Sequence, residues 1–73
     1  MATLIPILQH YGEEAKGKTM QFVCDCIVSF DVTGTVVDYE ISKNELIYVV
    51  KTADSGKIIR IGNNTPKLKV RTL

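Results

Sequence analysis

The sequence predicts a small, mainly β domain: five strands preceded by a short N-terminal helix or an extended arm. Three observations lead there. Residues 35–61 alternate apolar and polar side chains in three runs, the period-2 pattern of antiparallel strands. Clusters of Asn, Asp, Ser and Gly interrupt those runs at Lys43-Asn44-Glu45 and Asp54-Ser55-Gly56-Lys57, where hairpin turns are needed. The 73-residue chain has no Trp, two Phe and three Tyr, but is rich in Val, Ile and Leu. It makes one domain with a β-branched aliphatic core and a thin stability margin.

Two readings fit residues 1–19. Leu4, Ile7, Leu8 and Tyr11 stand at i, i+3, i+4 and i+7, one face of a helix. Thr3 would be its N-cap, Pro6 is tolerated in its first turn, and Gly12 would stop or weaken it. In the other reading Thr3–Gln9 is an extended edge strand, because Ile5 precedes a proline. Residues 13–18 are polar and form either a linker or the frayed last turn of the helix. Residues 20–32 read as one long bent strand, with Phe22, Cys24, Cys26, Val28, Phe30 and Val32 on one face. Gly34 then supplies a tight connection through positive φ. The meander follows: Val37, Tyr39 and Ile41 share a face of the first run, Leu46, Tyr48 and Val50 a face of the second, and Ile58–Ile61 form the third. Gly62-Asn63-Asn64-Thr65-Pro66-Lys67 predicts a tight helical turn. A last strand, 68–73, turns Leu68 and Val70 inward and Lys69 and Arg71 outward.

Five strands in meander order, with the Asn64-Thr65-Pro66-Lys67 turn before Leu68-Lys69-Val70, resemble an SH3-like small barrel over residues 20–73. The resemblance implies a five-stranded barrel with residues 1–19 as its N-terminal arm or helix. It is one of architecture, and carries no function with it. The Trp and the preceding acidic loop of proline-peptide binders have no counterpart here.

The residues do not assemble a catalytic constellation. Cys24 and Cys26 lie at i and i+2 of a predicted strand, and a structural zinc would need two further ligands. Only His10 is at hand, in another segment. Strand neighbours also lie badly for a disulfide, so both cysteines are expected as small buried side chains. His10 has no nucleophile or acid at a constrained spacing and reads as a surface histidine. Asp38 with Glu40, and Asp25 with Asp31, repeat at strand spacing on solvated faces. Gly62-Asn63-Asn64 lacks the Lys-Ser/Thr of a phosphate loop. We therefore expect a non-enzymatic protein with no metal and no cofactor.

Charge is the remaining signal. Net charge is +1, yet from Lys51 onward six basic residues face one acid, Asp54, while the rest of the chain carries seven acids and three lysines. The C-terminal third is thus +5 and the remainder −4. Two functions compete. In the first, the chain is an interaction module that binds a protein or a second copy of itself through Leu4, Ile7, Leu8 and Tyr11, or through an open strand edge. In the second, Lys57, Arg60, Lys67, Lys69 and Arg71 form a phosphate-binding stripe of a nucleic-acid accessory protein. Arg60 would join Lys69 and Arg71 if the fourth and fifth strands are close. Solvated-edge protection by Lys explains the same residues without a ligand. No stretch is long and apolar enough to span a membrane or serve as a signal-peptide core, so a cytoplasmic location without membrane contact is expected.

Overall fold

A computed structural model describes the backbone of residues 4–25 and 29–73, and the side chains of the same residues except 4 and 5. The order is α1 (Leu4–Ala15), β1 (Thr19–Cys24), β2 (Phe30–Ser42), β3 (Glu45–Thr52), β4 (Ile58–Gly62) and β5 (Leu68–Thr72). All five strands lie in one antiparallel sheet ordered β4-β3-β2-β1-β5. The sheet is not closed, since no pairing joins β4 to β5 among the described residues. The mainly β class with one helix is therefore what the sequence predicts, while closure into a barrel is not seen.

The N-terminal segment is a helix, and it runs past Gly12. Pro6 falls in the first turn, where a backbone N–H has no intrahelical partner anyway. Gly17, at φ 87°, ends the element instead, taking the left-handed position that glycine fills after a helix. The exit is tied to β2, because Gly17 N donates to Val36 O (2.7 Å) and Val36 N donates to Lys18 O (3.0 Å). The face turned to the sheet is Leu8, Gly12 and Ala15, all buried. The expected stripe is split: Leu8 is in the core, Ile7 and Tyr11 are exposed, and the side chain of Leu4 lies outside the described residues, as does Thr3. Gly12 sets this rotation. A Cβ there would stand 2.5 Å from the Tyr39 ring, so the helix backbone itself rests on that aromatic face.

The Tyr39 hydroxyl donates to Glu13, and this contact, with burial and the carboxylates of Glu13 and Asp38, raises its pKa above 10.0; burial raises that of Tyr48. An acid whose folded pKa is raised contributes stability below its unfolded value, which is lost as pH rises through the folded value. Alkaline titration of tyrosinate absorbance should therefore show ionisation above the ordinary tyrosine range. Tyr39→Phe should remove part of that late phase, and a variant retaining all of it would contradict the Glu13 contact.

Residues 20–32 are a hairpin and not one bent strand. Cys24 pairs with Phe30, and the chain reverses between them. The expected placement of Cys26 and Val28 in a strand lies outside the described residues. Cys24 itself is disulfide-bonded. Strand neighbours lie badly for a disulfide, but β1 ends at Cys24. Its Sγ also lies 3.4 Å from the Pro66 carbonyl oxygen.

Gly34 is no turn residue; it is buried inside β2, between Met20 and Thr52. Further along β2 the pairing shifts from Val36↔Val50 to Asp38↔Val49. That bulge reverses the predicted phase at one residue: Val36 is fully buried and Val37 is exposed, while Tyr39 and Ile41 stay half-buried on the core face. β2 and β3 are joined by Lys43 and Asn44, both at positive φ (51° and 61°), as a two-residue type I′ hairpin requires. Residues 62–67 contain two successive turns, Thr65 N to Gly62 O and Leu68 N to Thr65 O. They do not form a helix.

The core face carries Met20, Phe22, Val36, Leu46, Tyr48, Val50 and Ile61, with Leu8 and Ala15 from the helix. Phe22 and Tyr48 meet with ring centroids 5.6 Å apart, tilted by 47°, a favoured aromatic arrangement.

Candidate interaction surface

An antiparallel strand alternates the side to which successive backbone groups point, so a few bonds assign each edge. Leu73 N donates to Thr19 O on β1, and Leu68 N to Thr65 O. Residues 69, 71 and 73 thus turn to β1, leaving the N–H and C=O of Val70 and Thr72 on the open side of β5. On β4, Lys57 O accepts from Thr52 N, and Asn63 N donates to Leu46 O. Ile58, Arg60 and Gly62 therefore point outward there.

The β5 edge is where apolar surface is left incomplete. Leu68 and Val70 belong to the core face yet are only half-buried, and Leu73 is 60% exposed. A small hollow lined by Tyr11, Met20, Tyr48 and Thr72 connects this edge to the outer face of α1. Tyr11, 54% exposed, stands at its rim. At β4 the large exposed apolar side chain is Ile58.

The predicted basic stripe is divided. Arg60 lies on β4, and β3, β2 and β1 separate it from Lys69 and Arg71 on β5 in hydrogen-bonding order. Its Nε donates to Glu40 Oε2 at 3.2 Å, so its charge is already engaged. Lys57 sits in the β3–β4 loop and, with Asp31 and Asp54, lines an open hollow of about 560 Å³. Lys67, at φ 60° in the turn before β5, lines a separate hollow of about 370 Å³ with Asp25, Leu68 and Lys69. Arg71 Nη2 donates to Gln21 Oε1 (2.9 Å), and Gln21 Nε2 to Asp31 Oδ1 (3.0 Å). Lys69 makes no ion pair among the described residues. The structure thus brings together Lys67, Lys69 and Arg71, and leaves Lys57 and Arg60 elsewhere.

The other candidates for chemistry are dispersed. His10 pairs with Glu14 one turn along the helix (3.2 Å), both well exposed. Among the described residues there is no buried charged group and no cluster of three or more His, Cys, Asp or Glu able to hold a metal. No described helix is long and apolar enough to cross a membrane. Backbone direction, which marks the β5 edge, was hidden from sequence reasoning because it depends on which strand β5 joins. The alternation of Leu68 to Thr72 was its one visible sign. Comparison with known proteins supplies no relative: no family model, no curated protein and no solved structure matches this chain.

Proposed function

We propose that this protein is a non-enzymatic interaction module that associates with a second copy of itself through the open edge of β5. The observation that carries this reading is the unfinished edge: outward backbone groups at Val70 and Thr72 beside the half-buried Leu68 and Val70 and the exposed Leu73 and Tyr11. Unpaired strand edges are templates for another strand. Antiparallel pairing of β5 with its own copy about a two-fold axis keeps both core faces on one side of a continuous sheet. It extends the apolar row Leu68–Val70 across the junction and adds backbone hydrogen bonds. The meander order of the strands resembles that of SH3-like modules, which is consistent with a binding role and does not specify one.

The nucleic-acid reading keeps narrower support, from Lys67, Lys69 and Arg71 alone, because Arg60 and Lys57 are held apart from them and Arg60 is paired.

Thr72→Pro tests the edge. Proline there removes an outward N–H and none of the bonds to β1, so the fold should survive. We expect an unchanged far-ultraviolet circular dichroism spectrum and a solution mass reduced from twice 8.1 kDa to 8.1 kDa. A correctly folded variant that keeps the larger mass would contradict pairing at β5.

A further inference from the structure

We propose that pairing at the β5 edge builds an anion site that neither copy has alone, selective for phosphate-bearing anions and formed by Lys69 and Arg71 of both copies. The inference rests on the self-association reading above. Its basis is parity. On β5 the residues whose backbone points outward, Val70 and Thr72, have side chains on the core face, with Leu68. Lys69 and Arg71 point their backbone to β1 and their side chains to the opposite, outer face.

When β5 pairs with its own copy about a two-fold axis, directly opposed residues fall on the same face. Shifting the register by two residues changes which cations meet. Lys69 faces the second copy's Arg71 in one register, and each faces its own counterpart in the neighbouring two. In all of them four cations lie on one outer surface across two adjacent strands. Directly opposed like charges disfavour strand pairing, so the bare dimer carries an electrostatic cost.

The local partners leave that cost in place. Arg71 is held by the neutral Gln21, whose own carboxylate contact, Asp31, lies on β2. Lys69 has no ion pair among the described residues, and Asp25 is the one acid lining the hollow it borders. A multivalent anion bridging the four cations removes the repulsion. Arg and Lys together supply forked and point-charge donors suited to phosphate oxygens. Anion binding and dimerisation are then linked, and each strengthens the other.

Sedimentation velocity of the full chain at matched ionic strength tests this, comparing sodium chloride with sodium chloride plus tripolyphosphate. With the anion at about ten times its dissociation constant, the dimer should tighten about tenfold. The double variant Lys69→Gln with Arg71→Gln should dimerise more tightly in chloride and lose the response to tripolyphosphate. A 15-nucleotide oligothymidylate in place of tripolyphosphate identifies the phosphate source: tightening by both points to a nucleic-acid backbone, and tightening by tripolyphosphate alone to small polyphosphates. A dimer indifferent to both anions, or a double variant that keeps the response, overturns the anion site and leaves self-association standing. A monomer under every condition overturns both.

Discussion

Replacing Phe22 with Ala should cost about 3–5 kcal/mol of folding stability. Phe22 is completely buried at the centre of β1, where it pairs with Val32 on one side and Val70 on the other. Its ring also packs against Tyr48 across the core. Truncation therefore removes transfer free energy and an aromatic contact, and leaves a cavity that five antiparallel strands cannot easily collapse around. A typical margin of roughly 0.05–0.15 kcal/mol per residue gives this chain about 4–11 kcal/mol. The loss is thus a large fraction of the whole. The urea midpoint should fall accordingly, and a shift below about 1 kcal/mol would show that the core is not organised around this ring.

Gly34→Ala should also destabilise, against the usual direction for a glycine inside regular structure. Gly in a strand interior ordinarily costs about 0.5–1 kcal/mol relative to Ala, so substitution would be expected to help. Here the new Cβ would overlap the Lys51 carbonyl oxygen and stand 2.7 Å from Val50 Cγ1. The obstacle is backbone of the adjacent strand, which can move only by breaking the β2–β3 ladder. We expect a net loss of about 1–3 kcal/mol, the range for overpacking, read from the same denaturation curve. A stabilised variant would mean that β2 and β3 lie farther apart than described.

Much of this architecture was legible from local pattern. Leu46, Tyr48 and Val50 alternate without interruption, and both hairpin turns of the meander carry residues suited to left-handed backbone, so β3, β4 and their connections follow from sequence. Val37 misled because the bulge after Val36 is a tertiary accommodation of β2 to β3, invisible to a two-residue period. Gly34 misled in another way. A glycine serving close approach and one serving a turn look identical until the neighbouring strand is placed.

On the helix, the apolar positions predicted a face through Ile7 and Tyr11. The smallest residue, Gly12, decided the rotation by admitting the Tyr39 ring. Charge was the least legible feature. The +5 of the C-terminal third suggested one stripe, but antiparallel topology sends β4 and β5 to opposite edges, and Arg60 finds Glu40 on β2. What the sequence held of the interaction surface was the alternation Leu68-Lys69-Val70-Arg71, which places both the apolar row and the cations at β5.

The central claim, that the β5 edge is completed by a second copy, is tested most directly by the solution mass of the unmodified protein across a concentration series. The edge-paired structure predicts a mass rising to twice the 8.1 kDa of one chain. A mass of 8.1 kDa at every concentration, with and without phosphate-bearing anions, would contradict it.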